Sequence, residues 1–336
     1  METNLRPLSL GEILDRTAQL YRSNFLLFAG ISSFYAGVVM VLSLLQIGAK
    51  QAATALHSTQ GTIWVTVIGI LVLWLAIFAF GGISVAANNR AVGWVNLGQP
   101  ATIGSAYSSV LAKAGRYLWL MTITYFIVFL PCALLYGGYA ALLFVYVRPK
   151  GLLSPNAAPA DTQALVVFGV ASLIFVVLLL IAIAYAIVMA MRYSLAVPAC
   201  VVENLKARAA IRRSIELSKG SRGRIFMLGL LATIIQLGLT LITQGFFVAM
   251  GIKHHGVLPV WVQVVQQIVA FFTNTLVGPI YATGLTLFYY DQRVRKEGYD
   301  IEWMMQAAGM IPTAPQVEAG TAPGAVASPE PENLHG

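Results

Sequence analysis

Charge is scarce in this chain: Asp, Glu, Lys and Arg make up only 10% of its 336 residues, against 58% hydrophobic. A water-soluble domain carries about 25% charged residues. Together with a mean hydropathy of +0.76, the composition excludes an ordinary soluble fold. Cysteine is scarcer still. Cys132 and Cys200 are the only two, which makes neither a disulfide framework nor metal-ligand spacing. HExxH, GxSxG and P-loop motifs are absent, and each of those chemistries needs its residues at fixed spacing. His254 and His255 adjoin, but no Cys, Asp or Glu lies nearby in sequence to complete a metal site. No catalytic, metal or cofactor site is therefore expected.

What the chain does have is six long uncharged runs, at residues 25–47, 62–87, 117–147, 164–191, 225–250 and 259–290. Each exceeds the ~20 apolar residues that a helix needs to cross ~30 Å of hydrocarbon. Only helices and closed barrels satisfy their backbone polar groups in lipid, and these runs lack the alternation of barrel strands. The first run follows charged sequence, is long and lacks a small-residue cleavage site, so it reads as a retained span. The expected fold is all-α and polytopic, with six transmembrane helices over residues 1–306. The Ala/Pro/Gly-rich stretch 307–336, whose charges are Glu318, Glu330 and Glu332, reads as a disordered tail. Residues 148–162 read as a Pro-rich loop without periodicity.

Placing the N-terminus inside puts 17 of the 21 Lys and Arg residues on inner segments and leaves Lys50, Arg148, Lys150 and Lys253 outside. The positive-inside rule then predicts cytoplasmic termini. The net +8 is concentrated beside the spans, so it points to orientation and to anionic membrane lipid as a partner, not to nucleic acid.

The spans group into three hairpins, each preceded by a polar segment with helical periodicity: 9–22, 101–115 and 205–219. In the first, Ser9 and Glu12 have capping-box spacing, and Leu10, Ile13, Leu14, Ala18 and Tyr21 recur at helical intervals. In the second, Ile103, Tyr107, Val110 and Leu111 share a side. The third is the most basic and ends at Gly220, a C-cap residue. These starts suggest a threefold repeat of an amphipathic elbow helix followed by a hairpin.

Two polar patterns stand out. At the inner boundary, Asp15, Arg16, Glu203, Arg212, Arg213, Glu216, Asp291, Arg293 and Arg295 lie close to one level. They form a candidate cluster that either recognises an anionic head group or pins the elbows to the span ends by ion pairs. Partial burial demands pairing of such charges, which favours the second role. Asp291 with Arg295, and Arg212 with Glu216, have i, i+4 spacing. Inside the third hairpin, Gln236, Gln244, Gln267 and Asn274 match in depth as Gln236 with Asn274 and Gln244 with Gln267, an expected intramembrane seam. Gly81–Gly82 and Gly137–Gly138 are expected to mark close helix packing.

Three stretches, LRPLSLGEILDRTAQLYRSNF at 5–25, AVPACVVENLKARAAIRRSIELSKGSRGRIF at 196–226 and LFYYDQRVRKEGYDIE at 287–302, resemble a bacterial family named for the glycerophosphoryl diester phosphodiesterase membrane domain. Their order and spacing match over the chain up to about 302. The resemblance implies a multi-pass inner-membrane protein. The phosphodiesterase barrel of some relatives takes about 250 residues, and no such stretch stands outside the spans. The activity in the family name is therefore not expected of this chain. The expected role is non-enzymatic, through lipid or protein contacts that organise the membrane. The alternative is a small-molecule or lipid transporter or facilitator, which a continuous polar cavity through the bundle would favour.

Overall fold

A computed structural model describes residues 6–147, 162–253, 258–307 and 310. Every regular element among them is helical. The six long apolar helices are α2 (Phe25–Ala55), α3 (Thr59–Asn96), α5 (Ala114–Leu142, continued by a π turn at Leu143–Val147), α6 (Thr162–Tyr193), α9 (Arg222–Lys253) and α10 (Val260–Glu297). The elbows are α1 (Leu10–Ser23), α4 (Ile103–Leu111) and α8 (Ala207–Ser218), at the places where the sequence periodicity puts them. Two short helices, α7 (Ala196–Val202) and α11 (Tyr299–Ala307), were not expected. The expected loop at 148–162, the His pair and the expected disordered tail fall outside the described residues, save Thr162, Ala307 and Met310.

Local chemistry explains where the elbows begin. Ser9 Oγ accepts the Glu12 N–H at 3.3 Å, while the Glu12 carboxylate accepts the Ser9 N–H at 2.6 Å. The Ser9 backbone N–H first, and the Ser9 side chain beside it second, hold the Glu12 carboxyl below its ordinary range. Thr102 and Ser105 make the same reciprocal box at the start of α4. The start of α8 has no side-chain cap, but its end is closed twice. Gly220 takes the left-handed conformation at φ +77°, and the Lys296 ammonium donates to the carbonyls of Glu216, Leu217 and Lys219 at 2.7–3.0 Å. A cation there also complements the negative end of the helix dipole.

Both α3 and α10 run 38 residues, about 57 Å at 1.5 Å per residue. The uncharged runs end at 87 and 290, yet the helices continue to Asn96 and Glu297. These extensions carry the charged end of the bundle, and the elbows pack against them. The buried core lies at this elbow end. Ile13 and Leu20 of α1, Phe28 and Ile31 of α2, Ala87 and Val92 of α3, Tyr117 and Leu120 of α5, Leu217 of α8, and Phe288 and Tyr289 of α10 are all within it. Toward the opposite, loop end, Leu71, Trp74, Leu75, Leu173, Ile174 and Ile242 are exposed. Lipid tails are as apolar as leucine, so burial against a neighbouring helix yields no hydrophobic gain there. At the elbow end, free backbone groups and charges must be satisfied, and packing follows.

Elbow tyrosines tie to the spans: Tyr21 donates to the Leu276 carbonyl at 2.7 Å and Tyr107 to that of Ile31 at 2.6 Å. The glycine expectation divides. A Cβ at Gly82 would sit 2.6 Å from Met121 Sδ, and one at Gly81 would sit 3.2 Å from the Tyr35 ring, so this pair does mark close packing. Gly137 and Gly138 face open space; at that level α5 meets α6 through Tyr136 and Tyr139, whose rings pack on Phe175.

Candidate functional site

The last two turns of α10 organise the charged end. The Asp291 side chain is fully buried and accepts five hydrogen bonds from four donor groups. The Leu8 N–H reaches it at 2.8 Å, Arg295 Nε at 2.9 and 3.1 Å, Arg224 at 3.2 Å and the Gln292 amide at 3.0 Å. Both guanidiniums also donate to the Leu8 carbonyl, at 2.8 Å from Arg224 and 2.6 Å from Arg295. One buried carboxylate thus clamps the segment entering α1 between α9 and α10.

A second network lies on the other side of α10. Glu203, at the end of α7, accepts from Arg213 Nε at 2.9 and 3.0 Å and from the Tyr289 hydroxyl. Arg213 also pairs with Glu297 at 2.5 Å, and Arg293 approaches Glu297 at 3.3 Å and Glu203 at 3.8 Å. Burial opposes the Arg213 charge, but its hydrogen bonds to Glu297 and Glu203 outweigh that and raise its pKa further. Asn204 follows in the left-handed region at φ +54°. Its side-chain oxygen accepts from Lys113 and Arg116, both at 2.8 Å. Arg293 stacks on the Tyr299 ring at 4.0 Å, and burial pushes the Tyr299 hydroxyl pKa up.

Beside this network opens a polar cavity of about 360 Å³ between α3, α10 and α11, lined among others by Arg90, Trp94, Tyr290, Arg293 and Tyr299. Gly93 of α3 lets Tyr290 approach; a Cβ there would meet its hydroxyl at 3.1 Å. Arg90 stacks over Trp94 at 5.5 Å, and its Nε is shielded without a hydrogen-bond partner. Glu203 and Glu302 also line it and offset the two arginines, so the mixed charged and aromatic lining suits a small amphipathic group. Among the described residues no three His, Cys, Asp or Glu side chains gather as metal ligands.

The structure brings Glu203, Arg213, Asp291, Arg293 and Arg295 into the two networks and leaves out four residues expected in the cluster. Asp15 is exposed on α1, and neither it nor Arg16 forms an ion pair among the described residues. Arg212 and Glu216 are both exposed and do not pair. In that order the pair is the weaker i, i+4 arrangement, and exposure removes the demand for a partner. Asp291 and Arg295 have the favourable order and do pair.

The seam forms one residue away from the expected place. Gln244 accepts from the Gln266 amide at 2.5 Å, not from Gln267. Gln236 instead reaches Thr240 in its own helix at 3.5 Å, and Asn274, which is exposed, donates to the Ala270 carbonyl at 2.9 Å. At the Gln244 level α9 and α10 do meet, one residue from the expected partner, whereas Gln236 and Asn274 each bond within their own helix. Eight residues separate the two levels, which is about 80° past two full turns. Cysteines at Gln244 and Gln266 should therefore crosslink under mild oxidation, and those at Gln236 and Asn274 should not; efficient crosslinking of the second pair would contradict the geometry.

Several residues of the site were missed in sequence. Arg90, Trp94, Tyr289 and Glu297 stand just beyond or at the ends of uncharged runs. The signal was available in Asn88–Asn89–Arg90, polar residues at the close of the second run. Asn88 donates to Ser32 Oγ at 3.1 Å, and Thr286 donates to the Asn89 side-chain oxygen at 2.9 Å, joining α3 to α2 and α10.

Fold and site together define a multi-pass helical membrane protein whose polar machinery is gathered at one end. Comparison with protein-family models, curated proteins and solved structures finds no match.

Proposed function

We propose that this is a bacterial inner-membrane protein, with both termini cytoplasmic, that acts without catalysis through lipid and protein contacts at its elbow face. The observation that carries this reading is the two-sidedness of α8. Ala207, Ala210, Ser214 and Leu217 turn inward at helical spacing, while Arg208, Arg212 and Lys219 remain exposed. None of these three cations forms an ion pair among the described residues. A basic face at the level of the head groups attracts an anionic leaflet by ~1 kcal/mol per residue. The distribution of Lys and Arg supports the cytoplasmic assignment of this end.

Membership of the glycerophosphoryl diester phosphodiesterase membrane-domain family is part of the proposal. The three stretches that carry the resemblance meet in the two networks: Leu8 from the first, Glu203, Arg213 and Arg224 from the second, and Asp291, Arg293, Arg295 and Glu297 from the third. A shared elbow-docking apparatus would account for all three motifs.

A peptide of residues 205–219 should bind anionic vesicles better than neutral ones, with the difference shrinking as salt rises; equal binding to both would sink the electrostatic basis. For orientation, single cysteines at Lys50 and Lys253 should react with an impermeant reagent in intact cells, and cysteines at Lys113, Lys219 and Lys296 should not. Reversal would place the elbows outside.

The facilitator reading draws on the buried polar residues Ser32, Asn88, Asn89 and Thr286, with the Asn88 side-chain oxygen unpaired. Against it, none of the described cavities runs from one end of the bundle to the other. Solute flux into proteoliposomes that Asn88→Leu abolishes would reverse that preference.

A further inference from the structure

An apolar groove of about 670 Å³ lies between α6, α9 and α10, lined among others by Met191, Ile225, Gly229, Thr233, Gln236 and Tyr281. From Ile225 to Gln236, α9 rises about 17 Å, close to one leaflet of a ~30 Å hydrocarbon core. At its elbow end stand two arginines. Arg192 follows Met191 in the last turn of α6, and Arg222 opens α9 one turn before Ile225. The end of α8 ties the backbone at Arg192 to the turn that leads into Arg222. Ser214 and Ser218 donate to the Arg192 carbonyl at 2.9 and 3.5 Å, and Ser221, next to Arg222, donates to the Ser218 carbonyl at 3.3 Å.

These two arginines differ from those of the networks. Arg213, Arg224, Arg293 and Arg295 all pair with carboxylates. Arg192 and Arg222 are half-buried, the Nε of each is shielded without a hydrogen-bond partner, and neither forms an ion pair among the described residues. A partly desolvated cation without a counter-charge is unfavourable. Two of them at the head of an apolar groove call for one ligand that is anionic at its head and apolar along its length.

We propose that the groove holds an acyl chain of one anionic phospholipid from the leaflet at the elbow end, with its phosphate bound by Arg192 and Arg222. This rests on the lipid-contact reading above and gives it a specific site. At hydrocarbon depth the groove faces lipid chains, not water, so a chain is its natural occupant. Guanidinium groups are suited to phosphate because their N–H groups form paired, charge-assisted hydrogen bonds to its oxygens.

The test is native mass spectrometry of the full-length protein in mild detergent, titrated with phosphatidylglycerol and phosphatidylcholine. The wild type should retain one phosphatidylglycerol in preference to phosphatidylcholine. Arg192→Gln/Arg222→Gln should weaken phosphatidylglycerol about 30-fold, at ~1 kcal/mol for each charge lost, and erase the preference. Gly229→Leu should weaken both lipids. A Cβ there meets nothing within 4 Å, so the side chain enters the groove, and leucine favours the helix over glycine. That variant and the wild-type preference carry the test should the double variant fail to fold. Arg22→Gln, an exposed cation at the end of α1, should leave the retained lipid unchanged.

Equal retention of both lipids by the wild type, or undiminished binding in Gly229→Leu, overturns the proposal. So does a dimer of the chain in place of bound lipid, which would make the groove an interface between copies. If the groove fails while the 205–219 peptide still prefers anionic vesicles, the lipid-contact reading stands and only the site falls. If the peptide shows no preference while the groove retains phosphatidylglycerol, the reverse holds.

Discussion

Asp291→Ala lowers the stability of the folded protein by about 3–5 kcal/mol, the cost of removing one partner from a buried ion pair. The loss is large because Asp291 is the single carboxylate that Arg224 and Arg295 share, and because the Leu8 N–H loses its acceptor in the same step. Asp291→Asn keeps the shape and removes the charge, so it should fall between wild type and alanine. The effect has a location as well as a size. Leu8 leads into α1, so the α1 amides should exchange with deuterium faster in Asp291→Ala than in the wild type, while the α5–α6 hairpin stays unchanged. Asp15→Ala, an exposed carboxylate on the same elbow, should stay within about 0.5 kcal/mol of wild type. Uniform loss of protection across all helices would show that Asp291 does not act through α1.

Glu203→Ala should cost about 2–3 kcal/mol, less than Asp291 because its side chain is 18% exposed and that of Arg213 is 23% exposed. That places the pair between the surface and buried regimes. Glu297 remains to hold Arg213 and Arg293, which limits the damage further. The stranded group is the Tyr289 hydroxyl, whose acceptor is Glu203. Glu203→Gln keeps an acceptor for it and should recover part of the loss. Thermal melts of the Glu203→Ala, Arg213→Ala and double variants form a cycle. Additive effects would mean that the two residues are not coupled, contrary to the 2.9 Å contact.

The spans were legible because their signal is composition over a long window: six uncharged runs need no knowledge of neighbours. The elbows were legible because a capping box and helical periodicity are local, as at Ser9, Glu12 and Ile13. The candidate cluster was half legible. Level along the membrane normal follows from counting residues, so the right band of charges was found, including Asp291, Arg295, Glu203 and Arg213. Which way each side chain points does not follow from counting. Asp15, Arg16, Arg212 and Glu216 share the band but turn outward. Gln236 and Asn274 share a depth but sit about 80° off the face on which Gln244 and Gln266 meet.

By itself, then, the sequence determined the medium, the six helices and the three elbows, since each rests on backbone satisfaction in lipid and on patterns a single segment carries. Tertiary structure decided what the segments do together. It extended α3 and α10 beyond their uncharged runs, placed the packed core at the elbow end, and made one carboxylate, Asp291, the joint between residues 283 positions apart. It also left Arg192 and Arg222 unpaired at the head of an apolar groove while supplying carboxylates to their neighbours. The reason is physical. Hydrophobic runs specify immersion but not partners, because lipid and helix are equally apolar. Partners are chosen by charges and hydrogen bonds whose geometry exists only once the helices stand side by side.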